Sequence, residues 1–247
     1  MNKYGLIGYP LKHSFSQRFF TEKFAKENIE AAYLNFEIPQ LLLFPDIIKS
    51  HPDLKGLNVT IPYKEDVMQF LDELDIEAEA IGAVNVIKFD RSKGGVKLIG
   101  YNSDIIGFQN SIFPLIKPAI HRKALVLGTG GASKAVVRAL QNLNIQPVYV
   151  SRTKKEGAFI YQDLSEKILT EYTVIINASP LGTFPNVNEA PDIPYQYIST
   201  NHLVYDLVYN PEETKFLKLA KENGAIIKNG AEMLELQALA AWEIWNR

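Results

Sequence analysis

The sequence predicts an α/β chain with two successive strand–helix series, and three observations carry that prediction. Short apolar runs alternate with helix-like segments almost throughout, as parallel strands joined by helical crossovers require. A glycine-rich loop follows the apolar run ALVL near the middle of the chain and opens a helical segment. The length of 247 residues accommodates one large domain or two modest ones.

In the first series, strands are expected at 4–8, 32–38, 56–61, 83–89 and 97–100, with amphipathic helical stretches at 16–28, 41–49 and 64–74. The polar, glycine-bearing segment 91–95 reads as a hairpin turn between antiparallel strands. The second series begins near Lys123. ALVLG is a strand, GTGGASKAVVRALQNLN a loop and helix, and QPVYVSR, TVIINASP and HLVYDLVY are strands. A helix over 212–223 ends at Gly224, a residue suited to a C-cap. AIIKNG is a last strand before a long final helix, 231–247. The second series, about 110 residues, is long enough for its own core.

Composition narrows the class. Hydrophobic residues make up 47% and charged residues 22%, the balance of a folded soluble chain. A formal charge of −2 gives no polyanion-binding surface, so no nucleic-acid partner is expected. The absence of cysteine removes disulfides and thiolate metal sites, and no His or carboxylate cluster suggests a metal. The N-terminal apolar run is too short for a signal peptide, and no stretch reaches the ~18 residues that cross a membrane. A cytoplasmic location and no membrane partner are expected.

Gly128-Thr129-Gly130-Gly131-Ala132-Ser133 follows a strand and opens a helix, the context of a dinucleotide fingerprint. The first two glycines permit a tight turn and close approach of backbone to pyrophosphate, which the helix N-terminus attracts. Ser133 stands where the fingerprint has Gly or Ala, a small departure. The next strand ends in Ser151-Arg152-Thr153, followed by Lys154 and Lys155. An acid there would take the ribose 2′-hydroxyl of NAD. A cation stands there instead, so NADP is the expected cofactor. The alternatives are a ligand-free glycine turn and a solvated basic turn.

The N-terminal half holds further sets of hydroxyls, amides and charges: Gly8-Tyr9-Pro10-Leu11-Lys12-His13-Ser14-Phe15-Ser16, Asn58-Val59-Thr60-Ile61-Pro62-Tyr63-Lys64, Gly82-Ala83-Val84-Asn85 and Gly100-Tyr101-Asn102-Ser103-Asp104. Each falls at a strand end or in an adjoining loop, where ligands of α/β sheets bind. Each also has a structural reading. Ser14 and Ser16 suit helix N-caps, Asn58 and Asn85 suit turns, and Lys64 with Asp104 suits a surface ion pair.

Taken in order, these motifs resemble those of the shikimate dehydrogenase family over nearly the whole chain. Further matches are Ser151-Arg152-Thr153, Asn177-Ala178-Ser179, Asp206-Leu207-Val208-Tyr209-Asn210-Pro211, and Gly230-Ala231-Glu232-Met233-Leu234 with Gln237. The resemblance implies a substrate-binding catalytic domain, 1–103 with 231–247, and an NADP-binding Rossmann domain, 104–230. It further implies that the last helix, placed with Gln237 at its opening, returns to the first domain. Ser14 and Ser16 would bind the substrate carboxylate. Asn58, Asn85, Asp104 and Gln237 would hold ring hydroxyls, with Thr60 nearby. Lys64 and Asp104 would form the catalytic pair, and Tyr209 would line the pocket near the cofactor. Residues 128–133, 151–153 and 177–179 would hold NADP, and Gly230 would lie by the nicotinamide. His13 reads as a structural hydrogen-bonding group beside the serines. Three departures stand out: Val86 and Ser103 where the family usually has Thr, and Ser151 where it usually has Asn.

The implied reaction reduces the C3 carbonyl of 3-dehydroshikimate to shikimate, with an acid near the carbonyl oxygen. A monomer or homodimer is expected. Competing readings are a quinate/shikimate dehydrogenase using NAD, against which Arg152 speaks, and a non-catalytic nucleotide sensor, which would need no Lys64–Asp104 pair. A folate-linked dehydrogenase would give no reason for the two serines.

Overall fold

The computed structural model describes residues 1–11, 14–92 and 94–247; Lys12, His13 and Lys93 lie outside it, and with them the reading of His13. The chain divides into two units, Met1–Ser103 with Gln237–Arg247, and Asp104–Leu236.

The first unit contains β1 (Asn2–Gly8), α1 (Phe15–Lys26), β2 (Ala31–Glu37), α2 (Phe44–Ser50), β3 (Leu54–Val59), β4 (Glu73–Leu74), α3 (Ile76–Ile81), β5 (Val86–Asp90) and β6 (Lys97–Tyr101). Its sheet runs β2-β1-β3-β5-β6-β4. β1 is parallel to both neighbours, whereas β5 is antiparallel to β3 and β6, so the sheet is mixed. β1 is buried from Tyr4 to Gly8, which explains its unbroken apolar run: a central strand covered on both faces has no solvent side to be polar.

The segment 64–74, expected as an amphipathic helix, is instead a turn, a 3₁₀ helix at Asp66–Phe70 and the short strand β4. Its apolar spacing is helix-like, but edge pairing wins. Asp72 exchanges hydrogen bonds with Leu98, and β4 pairs with β6. A Cβ at Gly100 would come within 2.6 Å of Leu71 and 2.9 Å of Leu74. The missing side chain on β6 therefore makes room for both leucines on the core.

The second unit contains α4 (Ser103–Ile112), whose first residue belongs to the first unit, then β7 (Lys123–Leu127), α5 (Gly131–Asn142), β8 (Gln146–Ser151), β9 (Phe159–Ile160), α6 (Glu166–Glu171), β10 (Val174–Asn177), β11 (Leu203–Asp206), α7 (Lys215–Glu222) and β12 (Ile226–Lys228). Its sheet is parallel throughout, in the order β12-β11-β10-β7-β8-β9. This is the doubly wound order, with a switch point between β7 and β10. β10 and β11 are buried at every position, as parallel central strands require. Two buried histidines pin the far end of this sheet. His121 Nδ1 accepts from the Lys117 N–H and its Nε2 meets the Asn201 carbonyl. His202 does the same with Ser199 and Leu169. Burial holds both rings below the ordinary imidazole pKa, consistent with neutral rings in which Nε2 carries the proton.

The last helix, α8 (Ala231–Asn246), is where the chain returns to the first unit. Ala238, Ala241, Ile244 and Trp245 join Tyr4, Phe20, Phe24, Tyr33 and Val86 in one core cluster. Trp245 stacks on Tyr4 at 4.9 Å and donates its indole N–H to the Ile87 carbonyl. Gly56 lies so close beneath the indole that a Cβ there would sit 2.1 Å from it. Gln237 lies well inside α8 rather than at its opening, because the helix starts at Ala231.

Candidate functional site

In the second unit, the loops after β7, β8 and β10 enclose a groove of about 940 Å³ at the C-terminal ends of these strands. Gly128, Thr129 and Gly130 line it after β7, Ser151, Arg152 and Thr153 after β8, and Ala178 and Ser179 after β10. It therefore opens at the topological switch point, where doubly wound sheets bind their ligands. Gly128 has φ +108, and a Cβ there would press on the Ala178 carbonyl group at 3.2 Å; both facts require glycine. Gly130 and Gly131 are different. A Cβ on either would have no atom within 4 Å, so the absent side chains leave open space beside the N-terminus of α5, where a pyrophosphate would find backbone N–H groups.

Other expected cofactor residues do structural work. Ser133 is fully buried in α5, and its hydroxyl bonds back to the Gly130 carbonyl at 2.6 Å. Ala132 lies in the first turn of α5, and neither it nor Gly131 is among the groove's lining residues. Asn177 is buried, receives both the N–H and the hydroxyl of Ser179 on Oδ1, and donates to Asp206. Gly230 lies against the Leu207 carbonyl, which a Cβ would meet at 2.2 Å. Ser151, the departure from Asn, uses its hydroxyl to accept the Thr153 N–H and tighten the turn that carries Arg152. Sequence reasoning missed Tyr161, Gln162 and Asp192, which also line the groove. Tyr161 and Gln162 lie in a short 3₁₀ turn and Asp192 in a separate loop, none of them in a motif. Lys155 lines the groove and donates to Thr129 Oγ1 at 3.1 Å, which brings the β8 loop against the phosphate loop.

Asp206 organises the loop that carries Tyr209. It is fully buried and accepts from Asn177 Nδ2, the Val208 N–H and the Thr214 hydroxyl. Tyr209 itself is exposed. Burial pushes the Asp206 carboxyl up from 3.8 to about 6, with the three donors pulling the other way. An acid with a higher pKa folded than unfolded binds a proton on folding between those values. Its contribution to stability is therefore greatest below this window and declines as pH rises through it. That rise corresponds to about 3 kcal/mol. Urea unfolding of wild type and Asp206→Asn at pH 4 and pH 7 should show the wild type losing about that much relative to the variant. A difference independent of pH would mean that the carboxyl titrates normally.

Of the expected substrate residues in the first unit, Asn58 lies in β3, Asn85 directly precedes β5 and Ser14 directly precedes α1. Ser14 is the N-cap of α1, its oxygen accepting from the Gln17 N–H at 3.0 Å; a capping hydroxyl still has its own proton to donate. The Asn85 carbonyl takes the Val59 N–H at 2.8 Å and the Asn58 amide at 3.4 Å. The Asn85 side chain accepts the Ser103 N–H at 2.7 Å and donates to the Ser103 hydroxyl at 3.1 Å. Ser103 keeps a hydroxyl where the family usually has Thr, and it is bonded to Asn85. Val86 does not need the missing hydroxyl, because it is fully buried in the aromatic cluster with Trp245. Thr60 directly follows β3, and Lys64 lies half-buried in the turn beyond it, with its carbonyl taken by the Val84 N–H at 2.7 Å. Asp104 is buried in the first turn of α4. Gln237 is half-buried on α8. Among the described residues there is no cluster of His, Cys, Asp or Glu able to hold a metal, and no helix is long and apolar enough to cross a membrane.

A switch-point groove with an open phosphate loop and an arginine at the second strand end has the features of a dinucleotide-binding protein. Relatives make the class specific. Residues 6–87 match the model of the shikimate dehydrogenase substrate binding domain. The NADP(+) shikimate dehydrogenase of Carboxydothermus hydrogenoformans is 40% identical over 258 residues, covering 98% of this chain and 90% of that protein. The crystal structure of shikimate dehydrogenase from Aquifex aeolicus superposes with a TM-score of 0.85 at 34% identity, covering 100% of this chain and 92% of the other. That of the Thermus thermophilus enzyme, in complex with NADP(H) and shikimate, gives 0.84 at 27% identity over 99% and 93%. The chain belongs to the shikimate dehydrogenase family.

Proposed function

We propose that this chain reversibly reduces the C3 carbonyl of 3-dehydroshikimate to the hydroxyl of shikimate with NADPH, a step toward aromatic amino acids. Residues 1–103 with 231–247 form the substrate domain, and 104–230 hold NADP. The working form is a monomer or homodimer, and its setting is the cytoplasm. The observation that carries the reading is Arg152, at the strand end where an NAD-binding sheet has an acid, in a groove whose phosphate loop leaves open space at Gly130 and Gly131.

Bound NADPH supplies the hydride. The chain's own residues do the rest. Ser14 and Ser16 donate to the substrate carboxylate, and Asn58, Asn85 and Gln237 hold the ring hydroxyls, with Thr60 beside them. Lys64 stabilises the oxygen that gains charge and delivers its proton, and Asp104 orients the amine and a ring hydroxyl. In the oxidation direction the same pair accepts the hydroxyl proton. Tyr209 lines the substrate pocket near the cofactor, and the loops at 128–133, 151–153 and 177–179 with Gly230 hold the dinucleotide.

The deciding assay follows NADPH or NADH absorbance with shikimate or quinate, each paired with NADP⁺ or NAD⁺. Shikimate with NADP⁺ should give the highest kcat/KM. Preference for quinate with NAD⁺ would overturn the reading.

A further inference from the structure

We propose that Tyr33, on β2, is a positioning residue for the substrate site, its hydroxyl setting the orientation of the Asn58 amide. The inference rests on the assignment of Asn58 to a ring hydroxyl. Tyr33 is only 5% exposed, and its ring stacks on Phe20 at 4.8 Å with 12° between planes. On another side Trp245 lies at 6.4 Å. The ring is therefore held, and the hydroxyl has a fixed place. From there it donates to Asn58 Oδ1 at 2.7 Å.

The phenol and the Asn85 carbonyl together decide which end of the amide is which: the carbonyl can only accept and takes Nδ2, and the phenol proton meets Oδ1. Only the amide oxygen can accept from a phenol, since the NH₂ group only donates. Nδ2 then faces the Asn85 carbonyl at 3.4 Å, and a flipped amide would set two oxygens against each other there. Nδ2 carries two hydrogens. One points to Asn85, and the other is presented to a hydroxyl oxygen of the substrate.

A role limited to satisfying a buried polar atom predicts something different from positioning. The experiment measures steady-state kinetics of Tyr33→Phe, Asn58→Ala and the double variant in the full-length enzyme. Tyr33→Phe keeps the stacked ring. Its KM for shikimate should rise roughly 3- to 10-fold, the loss of one hydrogen bond, while kcat and the KM for NADP⁺ stay near wild type. In the Asn58→Ala background the same change should add almost nothing, because the amide to be oriented is gone. If Asn58→Ala leaves the shikimate KM unchanged, the substrate-site reading fails and the inference with it. If Asn58→Ala raises that KM, the positioning role alone is overturned by any of three results for Tyr33→Phe: no effect, an equal factor in both backgrounds, or a joint loss in kcat and both KM values.

Discussion

Replacing Lys64 with alanine should lower kcat by roughly 10²- to 10⁴-fold, the usual contribution of a positioned general acid or base. Lys64 follows β3 in a turn whose backbone is pinned by the bond from the Val84 N–H to the Lys64 carbonyl. The alanine variant keeps that bond, so the loss falls on chemistry rather than on folding. Binding of shikimate, carried by the serines and amides, should change much less than kcat. The measurement is kcat at saturating shikimate and NADP⁺, with thermal unfolding as a control for the fold. A variant that turns over at near the wild-type rate would remove Lys64 from the catalytic pair.

Removing the Arg152 side chain should weaken NADP⁺ binding by about 1.5–3 kcal/mol, roughly 10- to 150-fold, and leave NAD⁺ binding almost unchanged. A guanidinium grips a phosphate with two parallel hydrogen bonds and stacks on adenine. NAD⁺ lacks the 2′-phosphate and gains little from the first of these. The expected loss lies toward the lower end of the range, because Lys155 lines the same groove and stays in place. Titrating wild type and Arg152→Ala with both cofactors at one ionic strength makes the comparison, since the contact is screened by salt. Equal loss of both cofactors, or a wild type that binds NAD⁺ as well as NADP⁺, would reduce Ser151-Arg152-Thr153 to a solvated turn.

Much of this is legible in the chain itself, and the reason is local. A strand buried on both faces is apolar through its body, so ALVL, VII and LVY announce themselves, with polar Asn177 and Asp206 only at the strand ends. A phosphate loop needs small residues between strand and helix, so Gly128 to Ser133 does too. The absence of an acid after β8 and the presence of Arg152 are facts of composition at one position. Tertiary structure decided what depends on distant partners. The apolar spacing of 64–74 reads as a helix until Gly100 on β6 receives Leu71 and Leu74, and Glu73 and Leu74 pair along the sheet edge. Asn177 and Gly230 read as cofactor contacts, and only the fold shows that Asn177 also donates to Asp206 and that Gly230 packs against the Leu207 carbonyl. Tyr33 carries no motif at all, and only the fold brings its hydroxyl to Asn58, 25 residues away. Periodicity and turn chemistry act between neighbours in the chain and are written in it; the pairing of buried polar groups is settled only when the sheet closes them off from water, since each must then find whatever partner the topology has placed within reach.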